Sequence, residues 1–115
     1  MKGIVVLGST GSIGRQTLDI LRSFPQEFTV VGLAGWGNRK LLEEQVREFR
    51  PPLVWCQGLS RESIDPGLSG CACVTMEEMA LHPDADLVMV ATVGKAGLLP
   101  TLAALRSGKS VGLAN

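Results

Sequence analysis

The most constraining stretch of the chain is Leu7-Gly8-Ser9-Thr10-Gly11-Ser12-Ile13-Gly14, set between the apolar run Ile4-Val5-Val6-Leu7 and a helical pattern. An unbroken apolar run with mostly β-branched side chains reads as a strand buried on both faces, here Gly3–Leu7. Strand, glycine-rich turn and helix in that order form the context of a phosphate-binding turn. Gly8 lets the chain leave the strand sharply. Gly11, with no Cβ, lets an anion approach the backbone, and Gly14 lets the helix lie close to the strand. The first amides of that helix have no intrahelical acceptor and, with the helix dipole, attract an anion, by ~0.3–2 kcal/mol from the dipole alone. The spacing is Gly-x-x-Gly-x-x-Gly rather than Gly-x-Gly-x-x-Gly. No Lys-Ser/Thr pair follows it, so it is not a Walker loop. The flanking strand and helix favour a binding turn over a mere connection.

The remainder alternates in the same way. A helix is expected from Ser12 or Ile13 to Phe24, with Ile13, Thr17, Leu18, Leu21 and Phe24 as its apolar stripe and Pro25 as its end. A strand over Phe28–Ala34 contains Gly32, which marks close approach of another backbone. Asn38 caps a helix over Arg39–Phe49 that Pro51-Pro52 terminate. Short strands are expected at Leu53–Cys56 and Cys71–Val74, with loop between them and one helical turn near Ser60–Ile64. Thr75-Met76-Glu77-Glu78 has capping-box spacing and opens a helix to Leu81. A strong strand, Leu87–Val93, leads through Gly94–Gly97 to a helix over Leu98–Ser107. That helix has Pro100 in its first turn, Leu98, Leu102 and Leu105 as its stripe, and Gly108 as its cap. Ser110–Ala114 is the last strand. This order predicts an α/β, Rossmann-like, mostly parallel twisted sheet with right-handed crossovers and helices on both faces. Ligands of such sheets bind at the carboxyl ends of the strands. Those ends are Gly8–Gly14, Gly35–Asn38, Gly94–Gly97 and Asn115. Since Asn115 stands directly after a strand, residues 1–115 are expected to be one domain of a longer polypeptide.

Composition narrows the partners. The 115 residues carry 11 basic and 11 acidic side chains, a balance that argues against nucleic-acid or membrane-surface binding. The apolar stretch Leu87–Leu105 is interrupted by Gly94, Lys95, Gly97 and Pro100, so no membrane span is expected. Cys56, Cys71 and Cys73 are odd in number and form no Cys-x-x-Cys, which points to a reducing, cytoplasmic setting. His82, the one histidine, reads as a surface or helix-end residue rather than a metal ligand.

The end of the second strand bears on which dinucleotide fits. NAD-binding domains place Asp or Glu there for the ribose hydroxyls. Here the segment is Ala34-Gly35-Trp36-Gly37-Asn38-Arg39-Lys40, with no acid and with cations close by. A carboxylate ~4 Å from a 2′-phosphate would oppose it by ~4 kcal/mol per charge pair at an effective dielectric of ~20. The absence of that acid favours NADP over NAD. Trp36 either stacks on adenine or covers the sheet edge.

With these residues the chain resembles the N-terminal NADPH-binding domain of the 1-deoxy-D-xylulose 5-phosphate reductoisomerase family. The opening turn with Thr17-Leu18-Asp19 carries the resemblance first. Val93-Gly94 with Ala96-Gly97-Leu98-Leu99-Pro100-Thr101-Leu102-Ala103-Ala104 carries it further, as does Gly108-Lys109 with Leu113-Ala114-Asn115. The stretch Pro52–Asp84 matches only in outline. The resemblance implies that Thr10, Gly11, Ser12 and Ile13 contact the cofactor phosphates. It implies that Gly35, Trp36, Gly37 and Asn38 hold the adenosine ribose and 2′-phosphate, with Arg39 near, and that Asn115 reaches toward the nicotinamide. It further implies reduction and isomerisation of 1-deoxy-D-xylulose 5-phosphate to 2-C-methyl-D-erythritol 4-phosphate in non-mevalonate isoprenoid synthesis. The full-length enzyme would be a homodimer using a divalent metal (Mg, Mn or Co) held by acids beyond Asn115. No catalytic residue is expected in these residues, which alone would bind cofactor and catalyse nothing. Two other readings compete: another NADP-dependent reductase of semialdehyde-dehydrogenase or short-chain type, and a non-catalytic nucleotide- or coenzyme A-binding domain.

Overall fold

The computed structural model describes residues 1–58, 70–92 and 94–114. Its elements run β1 (Lys2–Leu7), α1 (Ser12–Arg22), β2 (Phe28–Gly35), α2 (Arg39–Phe49), β3 (Leu53–Cys56), β4 (Ala72–Cys73), α3 (Met76–Leu81), β5 (Leu87–Val90), a 3-10 turn (Gly94–Gly97), α4 (Leu98–Arg106) and β6 (Ser110–Leu113). The strands form a single sheet in the order β4-β3-β2-β1-β5-β6. Every ladder in it is parallel.

Alternation along β1 divides the core. Ile4 and Val6 pack with Leu18 and Leu21 of α1 and Leu42 and Val46 of α2. Val5 and Leu7 pack with Met79 and Ala80 of α3 and Ala104 of α4. Successive side chains of a strand point to opposite faces, so β1 must be apolar throughout. This is the α/β sheet with helices on both faces that the sequence predicts, and here it is wholly parallel. Winding goes one way from β1 to β4 and then returns to β5 on the other side of β1. The carboxyl ends of β1 and β5 therefore flank the crevice where such sheets take ligands.

Local signals fix most element ends. The Asn38 side chain accepts the Leu41 amide at 3.1 Å, as a cap should. Thr75 and Glu78 exchange side-chain bonds with each other's amides, both at 3.1 Å, completing the capping box. After α4, the Gly108 amide bonds the Leu105 carbonyl and the Lys109 amide the Ala104 carbonyl, a Schellman closure with Gly108 at φ 75°. Lys109 then donates its ammonium to the carbonyls of His82 and Ala85, 2.5 and 2.6 Å away. His82 caps α3, and its Nδ1 accepts the Asp84 amide, the helix-end role expected of it.

Several expectations are corrected. Helix α1 stops at Arg22, because a tight turn takes Ser23 and Phe24 amides back to Ile20 and Leu21 before Pro25. Its buried face is Gly14, Leu18 and Leu21, while Ile13 and Phe24 of the expected stripe are 43% and 46% exposed. Leu98, Leu102 and Leu105 of α4 likewise face outward, and Pro100 and Ala104 face in. Small residues are what a helix this close to α3 and the sheet can accommodate. Gly32 does mark a close approach, but by a side chain: a Cβ there would lie 2.5 Å from Met79 Sδ. Strand β4 is limited to Ala72–Cys73, and β5 ends at Val90, where its ladder with β1 ends. The helical turn expected at Ser60–Ile64 lies outside the described residues.

Candidate nucleotide site

At the end of β1 the chain turns at Gly8, whose φ of 90° is strained for any residue with a side chain. The amides of Gly8 and Ser9 both donate to the Ala34 carbonyl of β2, at 2.8 and 2.9 Å. The Gly11 amide closes on the Gly8 carbonyl at 3.2 Å. Helix α1 then starts with no side chain capping it. Among the described residues, the amides of Thr10, Ser12, Ile13 and Gly14 have no acceptor. Four donors at a positive helix end, with no acid in the first turn, suit an anion.

The two glycines at this helix start differ in what a side chain would meet. A Cβ on Gly14 would stand 2.0 Å from the Gly8 carbonyl oxygen, so the fold itself demands glycine. A Cβ on Gly11 would meet only that same oxygen, at 3.6 Å, an ordinary contact. The fold does not need Gly11 bare; its missing Cβ leaves the turn open on the side of the cleft.

An open cleft of about 330 Å³ lies over this turn, lined by Gly8, Thr10, Gly11, Trp36, Ala91, Thr92 and Ala96. It thus joins the ends of β1, β2 and β5. Of the residues expected at the site, Thr10, Gly11 and Trp36 line it. Ser12 and Ile13 are exposed on the first turn of α1 beside it. Gly35 lies beneath Thr10, whose side chain would be 3.2 Å from a Cβ at Gly35. Gly37 and Asn38 are exposed at the start of α2. With its carbonyl oxygen used as a cap, Asn38 keeps its amide nitrogen for another acceptor. Asn115 lies outside the described residues.

Trp36 is half-buried, edge-on to Trp55 with ring centroids 5.0 Å apart. Its carbonyl accepts the Cys56 thiol at 3.8 Å. Burial pushes the Cys56 thiol above its ordinary range, opposed by the nearby Arg39 charge and reinforced by Glu43, so it stays protonated and inert. Arg39 opens α2, its Nε 3.8 Å from Glu43 Oε1, and Lys40 beside it is exposed. No acid stands at the end of β2.

Two contributors were missed by the sequence reading. Thr92 lines the cleft beyond β5. Gln45, buried in α2, donates to the Ser9 carbonyl at 2.9 Å. Its spacing was a usable signal, since it stands three residues after Leu42 and one before Val46, on the apolar side of the helix.

A parallel sheet wound both ways from its first strand, with a glycine turn at the switch point, defines a Rossmann-type α/β domain. A sequence model of the 1-deoxy-D-xylulose 5-phosphate reductoisomerase family matches residues 4–115, and the chain belongs to that family. It is 48% identical over 124 positions to the reductoisomerase of Pelotomaculum thermopropionicum, covering all of this chain and 32% of that one. It is 45% identical over 127 positions to that of a Synechococcus strain, with the same two coverages, 100% and 32%. A crystal structure of DOX-P reductoisomerase with NADPH, fosmidomycin and magnesium is similar at TM-score 0.88 and 34% identity, over 100% of this chain and 30% of that one. The Zymomonas mobilis enzyme in complex with NADPH is similar at TM-score 0.81 and 32% identity, over 99% and 32%. The chain thus spans about a third of the length of the curated relatives it matches.

Proposed function

We propose that residues 1–115 are the NADPH-binding part of a 1-deoxy-D-xylulose 5-phosphate reductoisomerase. The observation that carries this reading is the set of amides at Thr10, Ser12, Ile13 and Gly14, which have no acceptor among the described residues, beside a cleft that joins three strand ends. The amides of Thr10, Ser12 and Ile13 face the diphosphate, and Gly11, whose own amide is held by the Gly8 carbonyl, lets it approach by lacking a Cβ. Gly35–Asn38 receive the adenosine ribose and its 2′-phosphate, with the amide nitrogen of Asn38 and the cations of Arg39 and Lys40 near. Trp36 presents a ring face to the adenine, and Asn115 serves the nicotinamide half. NADPH supplies the hydride for reduction of the rearranged sugar phosphate. This chain's part is to hold and orient the cofactor and to keep carboxylates away from its extra phosphate.

Among the described residues no group of three or more His, Cys, Asp or Glu side chains could hold a metal ion, and no step is assigned to one here. No helix is long and apolar enough to cross a membrane. The odd number of cysteines, with no Cys-x-x-Cys among them, supports a cytoplasmic setting. The family resemblance extends the proposal to a homodimer acting on a phosphorylated sugar in isoprenoid synthesis.

Thermal unfolding with added ligand tests the reading. NADPH at about a hundred times its Kd should stabilise by ~2.7 kcal/mol. NADH should stabilise less and perturb Trp36 fluorescence less, after correction for Trp55. Stabilisation by coenzyme A without stabilisation by NADPH would overturn the proposal.

A further inference from the structure

The buried amide of Gln45 has no place in the list of cofactor contacts above, yet it touches the turn that makes them. Gln45 is 5% exposed and Ser9 is fully buried. Its Nε2 donates to the Ser9 carbonyl at 2.9 Å across 36 residues of sequence. The Ser9 amide is held from the other side by the Ala34 carbonyl. A trans peptide is planar, with its C=O and N–H pointing in opposite directions. The Ser9 carbonyl and the Thr10 amide belong to one such plane. Drawing the carbonyl toward α2 therefore turns the Thr10 N–H away from α2, and Thr10 lines the cleft.

Stability alone gives little reason for this glutamine. Its Oε1 is buried with no partner among the described residues. An unmet buried acceptor opposes folding by ~1–3 kcal/mol; an apolar side chain of similar length would remove this one but leave the buried Ser9 carbonyl without its donor, so the two roughly offset. Leu42 and Val46 show that this face of α2 otherwise takes aliphatic residues.

We infer that Gln45 is a positioning residue for cofactor binding: its amide, through the Ser9–Thr10 peptide, aims the Thr10 N–H at the dinucleotide diphosphate. This rests on the NADPH-binding reading above. It adds a residue outside the cleft that governs one end of the cofactor and not the other. The proposed 2′-phosphate end, at Gly35–Asn38, lies between β2 and the start of that helix and does not involve the Ser9 carbonyl.

The test uses the full-length protein that carries this chain. Gln45→Met removes the donor and keeps the length. It should weaken NADPH and ADP binding by roughly fivefold to tenfold, the loss of one hydrogen bond. Binding of 2′-AMP, which has no diphosphate, should stay within twofold. The melting temperature without ligand should change little, because the freed Ser9 carbonyl offsets the removed Gln45 Oε1. Gln45→Glu gives a second reading. At about pH 8 the carboxylate cannot donate, and binding of NADP⁺ should be weaker than in wild type. Burial raises a carboxyl pKa, so lowering the pH toward 5.5 restores an O–H donor. The ratio of variant to wild-type Kd should then fall toward one. Unchanged NADPH affinity in Gln45→Met, equal weakening of 2′-AMP, or a ratio flat with pH would each overturn the inference. Failure of the wild-type protein to bind NADPH would instead overturn the function proposed above.

Discussion

Alanine at Gly14 and alanine at Gly11 should fail in opposite ways. A Cβ at Gly14 would lie 2.0 Å from the Gly8 carbonyl oxygen, 2.7 Å from Ser9 Cα and 2.8 Å from the Gly8 carbonyl carbon. All three are main-chain atoms of a turn tied to β2, so the turn cannot give way. Ordinary contact begins at 3.4 Å, and α1 must retreat by roughly 1.4 Å, the difference between 3.4 and 2.0 Å. Overpacking costs ~1–3 kcal/mol, and immovable backbone places this case at the upper end. Alanine's better helix propensity returns ~1 kcal/mol. The net loss is ~2 kcal/mol, or ~8 °C in Tm for a domain of this size. At Gly11, φ is −79° and ψ 175°, which any residue adopts, and the new Cβ meets one atom at 3.6 Å. Gly11→Ala should be neutral or stabilising by ~0.4–1 kcal/mol through the unfolded chain. It should nevertheless lose NADPH affinity, because the methyl group would stand where the proposed site receives the diphosphate. Circular-dichroism melts without ligand, paired with NADPH titrations, separate the two variants. The reasoning is refuted if Gly11→Ala melts as low as Gly14→Ala, or if it binds NADPH as wild type does.

Other consequences follow from contacts described above. Thr75→Ala removes half of the α3 capping box and should lower stability by ~1 kcal/mol in urea denaturation. Gly32→Ala should destabilise by ~1–3 kcal/mol by colliding with Met79. A double-mutant cycle with Met79→Ala should show coupling between the two, since Met79 Cγ and Sδ, both 2.5 Å from the added Cβ, are the atoms in the way. The Arg22 hydrogen bond holds the Glu48 carboxyl below its usual range. The pair joins α1 to α2, with the Arg22 guanidinium also 5.4 Å above the Phe49 ring. Its contribution is therefore full above the unfolded carboxyl value of ~4.3 and disappears as pH falls through the lower folded value. The side chains are 46% and 42% exposed, so the contribution stays under ~1 kcal/mol. The stability gap between wild type and Glu48→Gln should close from about pH 6 to about pH 3; a gap that widened toward acid would contradict this assignment.

The parts legible in the sequence were those with local causes. Buried runs, caps and the strand–glycine–helix order placed β1, α1, β2, α2 and α3 within a residue or two at most ends. The α4 face was misread because Leu98-Leu99-Pro100-Thr101-Leu102-Ala103-Ala104-Leu105 is apolar on every side. With no polar face to oppose it, periodicity cannot say which side packs, and the tight fit against α3 selects Pro100 and Ala104. At the site, Thr10 and Gly11 were legible because the turn is continuous in sequence. Gln45 was not singled out, because a glutamine within a helix reads as solvated until the distant Ser9 carbonyl is brought to it. Thr92 joins the cleft only through the pairing of β5 with β1.

The Ala34 oxygen that takes both the Gly8 and Ser9 amides makes the phosphate turn dependent on a strand formed later in the chain. The segment from β1 through α1 lacks the acceptor for these two amides until β2 is in place. Native-state hydrogen exchange should record that dependence. The Gly8 and Ser9 amides should exchange only with opening of the central sheet, while the neighbouring Thr10 amide, without an acceptor among the described residues, should exchange early.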